Sequence, residues 1–548
     1  MPEIRNLAPM IMENTDTIKF VKESIPYSET GFFGKMPLDY LSGNENLRSF
    51  YGRLPAIESF EGQMEEKSKN YRNRHPLVSA LTNQYAAAKL TTPAIELLKS
   101  DNAFTITTGH QVCLFTGPLY FFYKIISAIN TCKLLKKRHP EKDFVPVFWM
   151  ATEDHDFEEA NHFFLPSGKI EWESGQGGAV GRMKTEGMDE IAQELSEKIG
   201  IGYTSAELSD LFKKAYVKHN TIAAATRYLV HQLFGRFGVV VIDADDTAIK
   251  TLAIPAFEKE ICDHISFNEM SKTNELLSEN GYNLQVIPHE INLFYLDDQF
   301  RERIEQTEDG NFQIVRTNTV FTKDEILKEL NAHPEKFSPN VVLRPLLQEM
   351  VLPNLAYIGG GGELAYWFQL KDVFQAYDVA FPVLMLRNSV MVIPERVKEN
   401  MDRLGIQIRD LFGDSQKLED RLVRAGTSES LELDNERERL ELLFIDMETR
   451  LAKINPDLKK SVRSGFAKTD RVVRNLEKKM MRAERKKQEI LINRLKQVRE
   501  TLLPRNGLQE RNMNFVPLYL DYGAGFIDAL LEVLDPFENA FSVLERKS

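Results

Sequence analysis

The chain has 548 residues, 43% of them hydrophobic and 27% charged, with a net charge of −12. Such a length calls for two to four folding units, and the composition is that of a globular protein. No apolar run is long enough to span a bilayer, the acidic balance argues against general nucleic-acid binding, and three cysteines without a CxxC pair argue against a disulfide framework or a thiolate zinc site.

The opening stretch MPEIRNLAPMIMENTDTIKF has no basic segment leading into an apolar one, so a cytoplasmic protein is expected. Residues 1–103 read as a helical elaboration punctuated by Pro26, Pro37, Pro55 and Pro76. From 104 onward, short apolar runs alternate with amphipathic ones. FTIT precedes a helix over 118–138. FVPVFWM, GVVVID, LAYIG and FPVLML follow in turn, separated by helical stretches near 207–235, 246–264 and 363–377. Near-continuously apolar strands alternating with helices predict a doubly wound, parallel α/β sheet. Its parts fall in 104–165, 205–265 and 341–393. Two segments break the rhythm and read as insertions: a Gly-rich polar one over 166–204 and a β-like one over 266–340.

The pattern over 394–504 is helical. Leu433, Leu440, Met447 and Ile454 recur every seven residues, and a second stripe runs from Val473 to Ile490 after the break at Asn455-Pro456. The two stripes predict an antiparallel coiled-coil hairpin whose second helix runs about 40 residues, or roughly 60 Å at 1.5 Å per residue. Charge supports the pairing. Residues 458–500 carry 15 Lys/Arg against 5 Asp/Glu, while 428–450 carry 8 acids against 3 bases. After Pro504, residues 505–548 regain a globular texture and return to the core.

Four stretches carry candidate chemistry. In TTGHQVCLFTGPLY, Gly109 and Gly117 would let a ligand approach the backbone. Thr116 adds a hydroxyl, and Pro118 suits the first position of a helix. Lys124, two turns on, supplies charge only if it points back to the loop. The glycines alone also explain a strand-to-helix turn. EDHDFEE follows FVPVFWM and sets Glu153, Asp156 and three further carboxylates around His155, either as catalytic groups, as metal ligands or as a solvated loop. In RPLLQEMVLPNLAYIGGGGELAYWFQL, a strand leads through four glycines, Gly360 and Gly362 among them, into a helix that opens with Glu363. Arg344 is a candidate clamp for a carboxylate or phosphate, while Tyr366 and Trp367 suit either a core or a ligand. DADD, after GVVVID, could recognise a hydroxyl or an amine, or cap a helix through Asp245 or Asp246. His110, Gln111, Tyr120, Arg387 and Asn388 complete the candidate binding residues. EMSKT, at 269–273, looks like a synthetase lysine loop but sits in a helical run.

Three blocks, TTGHQVCLFTGPLYFFYKIISAI, PVFWMATEDHDFEEANH and NVVLRPLLQEMVLPNLAYIGGGGELAYWFQLKDVF, together resemble the BshC family, the cysteine-adding enzymes of bacillithiol biosynthesis. The resemblance covers nearly the whole chain. It implies a Rossmann-like core with connecting-peptide insertions and a coiled coil that promotes a homodimer. It also implies a ligase that adds L-cysteine to glucosaminyl malate, with ATP or another nucleotide as the expected activator and the metal requirement open. On that expectation the 109–118 loop holds phosphates, His155 or a neighbouring carboxylate takes a proton, and Glu363 holds the cysteine ammonium. Family members often carry Gln in place of His110, which argues against a proton-shuttling role there, and Pro in place of Gly361. The rival readings are another nucleotidyl- or glycosyl-transferring α/β enzyme and a nucleotide-binding coiled-coil assembly protein.

Overall fold

In the computed structural model, residues 18–427 and 430–547 are described. Most of the opening stretch searched for a targeting segment, and Ser428 and Glu429 of the acidic run, lie outside them. The chain forms two compact units, one built by the chain up to Val392 together with Leu508 onward, the other by Ile393–Gly507. No described helix is long and apolar enough to cross a membrane.

The first unit is organised by a five-stranded, all-parallel sheet. Its strands are β1 (Ala103–Gln111), β2 (Asp143–Ala151), β3 (Val240–Asp243), β4 (Asn354–Gly359) and β5 (Val383–Leu386), in the spatial order β5-β4-β1-β2-β3. These are the five apolar runs of the sequence, buried on both faces because helices cover the sheet. Strand order reverses between β1 and β4, so the chain leaves those two strands in opposite directions and opens a crevice at their carboxyl ends.

Polar residues inside this sheet are paired with one another. Asn354 Oδ1 accepts bonds from Thr105 (3.2 Å) and Thr107 (2.8 Å), and its Nδ2 donates to Glu349 Oε1 (2.6 Å). The buried Lys67 ammonium donates to the Glu349 carbonyl at 2.6 Å. This network ties β4 to β1 from below, which is why a run such as TITT can sit in a core.

The loop between β1 and helix α1 (Tyr120–Arg138) differs from the exposed cradle expected of it. Val112, Cys113, Leu114, Phe115 and Thr116 are all buried. Phe115 (φ 45°), Thr116 (φ 71°) and Gly117 (φ 63°) adopt left-handed conformations. Asn514 holds them there, donating to the carbonyls of Phe115 (2.9 Å) and Gly117 (2.7 Å). The amides are also consumed internally: Phe115 N–H by the Tyr216 hydroxyl, Gly117 N–H by Leu114 O and Leu119 N–H by Met513 O. Pro118 precedes the N-cap residue Leu119 rather than occupying the first helical position.

The segment over 166–204 contains part of a short hairpin and the helix α2 (Met188–Ile199). The later segment holds a five-stranded antiparallel sheet. Near the C-terminus, Ala540–Arg546 pairs antiparallel with Phe20–Pro26.

The second unit contains the hairpin. Helices α4 (Asp434–Ala452) and α5 (Leu458–Lys487) run antiparallel, clamped by Arg437–Asp470 (2.9 Å) and Arg463–Glu448 (2.9 Å). Gly465 leaves room for the Phe444 ring. The expected 40-residue second helix is instead broken after Lys487. A further helix, α6 (Glu489–Leu502), begins beyond Gln488. Gln488 leaves helical geometry and donates to the Val423 carbonyl at 3.0 Å, bending the chain over a small core of Val423, Leu431 and Ile492.

Because two buried carbonyls depend on one side chain, Asn514→Ala should destabilise the protein by about 2–4 kcal/mol. Urea denaturation would measure it, and an unchanged midpoint would show that the strained loop does not rely on this clamp.

Candidate active site

The crevice predicted by the strand-order reversal is a cleft of about 800 Å³. Gly109, His110 and Gln111 reach it from the end of β1, Trp149 and Glu153 from β2 and the turn beyond it, Tyr357 from β4, and Arg387 from the end of β5.

Its centre is an ion pair. Lys124, buried on α1, points back to the loop as its expected role required. Its Nζ donates to the Gly109 carbonyl (2.7 Å) and meets Glu363 Oε2 at 2.6 Å. Glu363 also accepts from the Gly360 N–H (2.8 Å) and the Tyr357 hydroxyl (2.7 Å). Burial raises this carboxyl, but Lys124, the Gly360 N–H and Tyr357 together outweigh it and hold it down at about 2. The Gly360–Glu363 bond also caps helix α3 (Gly361–Phe368).

Part of the lining is cationic. Arg344 packs beside Gly109 at the end of β1, its Nη1 3.6 Å from where a Cβ on that glycine would stand. Arg344 donates to Gln348 (3.2 Å) and to the Tyr366 hydroxyl (3.0 Å). Arg387 is 4% exposed. Its Nη2 pairs with buried Glu510 (2.7 Å), its Nη1 donates to Asn388 O (3.0 Å), and the Tyr120 ring lies 5.0 Å from the guanidinium. Its Nε is buried without a partner. A buried donor left open beside a cleft is costly unless an anion or water completes it. Gly362 has open space around it at the start of α3, where the helix presents free N–H groups and its positive end. These groups suit a phosphate or a carboxylate.

The lining also carries carboxylates, with the Arg301 guanidinium near Glu153 and Asp154. Gln111 Nε2 bridges Asp154 (2.7 Å) and Glu159 (3.1 Å), and Glu153 stands beside them. Asp156 caps the short helix Phe157–Ala160. His155 is half-exposed at the rim rather than in the lining, its Nδ1 3.1 Å from Arg301 and its ring against Phe294. Burial and the Arg301 charge lower it. Among the described residues, no group of three or more His, Cys, Asp or Glu side chains is arranged to hold a metal ion.

The structure therefore gathers Gly109, His110, Gln111, Tyr120, Lys124, Glu153, Arg344, Gly360, Gly362, Glu363, Tyr366 and Arg387 in one lining. Thr116, Gly117 and Pro118 are outside it because their loop turns into the core. Trp367 is buried and stacks on Tyr357 with centroids 4.5 Å apart. Asn388 clasps Ser127 (2.9 Å) and the Asp535 carbonyl (2.8 Å). Asp246 caps the helix Thr247–Thr251, and the EMSKT segment is helical, with Lys272 paired to Glu269. Arg301, His289, Tyr357 and Arg511 line the cleft without any motif to announce them. Of these, only Tyr357 carried a signal, as a polar-tipped residue in an otherwise apolar strand.

Comparison with known families agrees with this fold. The N-terminal Rossmann-like domain of bacillithiol biosynthesis BshC matches residues 21–388, and the C-terminal coiled-coil domain of BshC matches residues 390–546. The chain belongs to the BshC family. A relative from Christiangramia forsetii, named "Putative cysteine ligase BshC", is 42% identical over 95% of this chain and 98% of its own length. Relatives of the same name from Flavobacterium johnsoniae and Chlorobaculum tepidum are 41% and 30% identical, covering 95% and 86% of this chain and 99% and 88% of their own. Within this BshC domain the parallel sheet supplies the Rossmann-like core, and the hairpin of α4 and α5 supplies the coiled coil.

Burial, then the nearby Lys124 charge, pushes His110 down from 6.5 to about 3, so its ring is neutral at working pH. A depressed histidine contributes stability that is complete above about pH 6.5 and is lost as pH falls towards 3. His110→Gln should therefore lose less stability than the wild type across that window in pH-dependent thermal melts. Equal losses would place His110 in a more polar setting.

Proposed function

We propose that this protein is a cytoplasmic cysteine ligase that joins the carboxyl of L-cysteine to the amine of glucosaminyl malate, giving bacillithiol, with nucleotide-dependent activation of the carboxyl. The observation that carries this reading is the mixed lining of the cleft: donors suited to an anion and carboxylates suited to an amine, within one hollow at the switch point of a BshC domain. The relatives' name supplies the cysteine and ligase parts of the reading.

A bound nucleoside triphosphate would supply a leaving group on the cysteine carboxyl. The residues present fit such an anionic group, through the open Arg387 Nε, Arg344 and the start of α3. Charge developing on the carbonyl oxygen would meet preorganised donors there. Glu363 already accepts three hydrogen bonds, so its role here is to hold Lys124, Tyr357 and α3 in place. The cysteine ammonium falls instead to Asp154 and Glu159. As the glucosamine nitrogen bonds the carbonyl carbon, the bond to the leaving group breaks and the nitrogen sheds a proton. Glu153, inside the lining, is placed to accept it, whereas His155 stands at the rim.

Dimerisation belongs to the same proposal. On α4, Leu442, Leu443 and Ile445 are 61%, 53% and 53% exposed, an apolar surface suited to a second copy.

Purified protein with ATP, L-cysteine and glucosaminyl malate should release the cysteinyl product. Glu153→Gln should lower kcat by about 10²–10⁴-fold, the usual worth of a general base, and His155→Ala should retain most turnover. Full activity in Glu153→Gln would remove the proton-transfer assignment. In sedimentation analysis, Leu443→Asp should convert a dimer to a monomer. A wild-type monomer would end the dimer reading.

A further inference from the structure

Lys250 is fully buried, and nothing above uses it. It lies on the short helix that Asp246 caps, after β3. Its ammonium reaches Glu153 Oε1 at 2.6 Å, Asp245 Oδ1 at 2.8 Å and the Glu335 carbonyl at 2.9 Å. Asp245 is gripped from the other side by Arg182, with Nε 2.5 Å from Oδ2 and Nη2 2.8 Å from Oδ1. Four charges thus run in a line, Glu153–Lys250–Asp245–Arg182. They connect the cleft to a second hollow of about 710 Å³ that Arg182 and Asp245 line. Four separate parts of the chain supply the line and its anchor: the turn after β2, the segment after β3, and the two segments over 166–204 and 266–340. Buried ion pairs add little net stability, so stability alone does not account for the arrangement.

We propose that Lys250 is a positioning residue that holds the Glu153 carboxylate in the cleft as its proton acceptor, with Asp245 and Arg182 fixing Lys250 in turn. Glu153 Oε1 is ion-paired with Lys250, while Oε2 makes no hydrogen bond or ion pair among the described residues and is the oxygen left to take a proton. Burial raises Glu153, Lys250 opposes that, and Asp245 adds to it. The other charges facing the line are Arg301 near Glu153, Asp243 near Asp245, and Asp298, 3.9 Å from Arg182. A base tuned between burial and a cation suits proton transfer near neutral pH. The proposal rests on the reading of Glu153 as base and identifies what controls it.

Lys250 and Asp245 act on Glu153 with opposite signs, which a purely structural role would not. Removing the cation in Lys250→Met should shift the Glu153 titration upward by about one pH unit or more, and removing the competing carboxylate in Asp245→Asn should shift it downward. Infrared titration of the full-length protein reads the protonated carboxyl directly, the signal being assigned by its loss in Glu153→Gln. The acidic limb of kcat/KM should follow the same two shifts with KM little changed, and Lys250→Arg should stay near the wild type. If Lys250→Met does not fold, Asp245→Asn carries the test alone. A midpoint that is unchanged in the variants that fold, or that moves the same way in both, overturns the proposal. Opposite infrared shifts in a protein that forms no cysteinyl product would uphold the control of Glu153 by Lys250 and defeat the ligase reading separately.

Discussion

The cleft depends on one buried ion pair. Lys124 lies on α1, Glu363 on α3, and the Gly109 carbonyl at the end of β1, and the ammonium joins all three. A lysine buried without a partner would cost several kcal/mol or give up its proton. The pairing therefore dictates how closely the two helices approach the switch point. Tyr357 and Gly360 take their places around it through the Glu363 carboxylate, and Arg344 packs beside Gly109.

Around that centre the lining carries both signs of charge. Arg344, Arg387 and the start of α3 supply donors, and Glu153, Asp154 and Glu159 supply carboxylates. Each group has a support behind it. Glu510 backs Arg387 and is itself fixed by Ser389 and the Val390 N–H. Lys250 backs Glu153. Such supports come from distant parts of the chain, since the C-terminal segment supplies Glu510 and the segment after β3 supplies Lys250. A ligand with an anionic group and an amine would find partners for both preorganised, so little reorganisation would be needed as bonds change.

The candidate residues were legible where the chemistry is local. Gly360, Gly362 and Glu363 could be read as a loop into a helix N-terminus because a glycine run followed by an acid is a local capping pattern. The same logic overreached in TTGHQVCLFTGPLY. Glycines and threonines there look like a phosphate cradle, yet the loop's carbonyls belong to Asn514, some four hundred residues on. Trp367 and Asn388 lie beside true lining residues in sequence and point elsewhere, because successive side chains turn by about 100° on a helix and alternate faces at a strand end. The long second helix of the hairpin failed similarly. Its stripe continues through Gln488, but a contact with the Val423 carbonyl bends the backbone there.

By itself, the sequence determined the parallel α/β core, the strand ends that bear chemistry, the helical hairpin and the family resemblance, because periodicity, turn residues and buried apolar runs are local properties. Only the tertiary structure decided the strand order that opens the cleft, the partner of each buried charge, and which side of a loop faces a ligand. Those depend on contacts between residues far apart in the chain, and the cost of leaving a buried charge or carbonyl unpaired selects them.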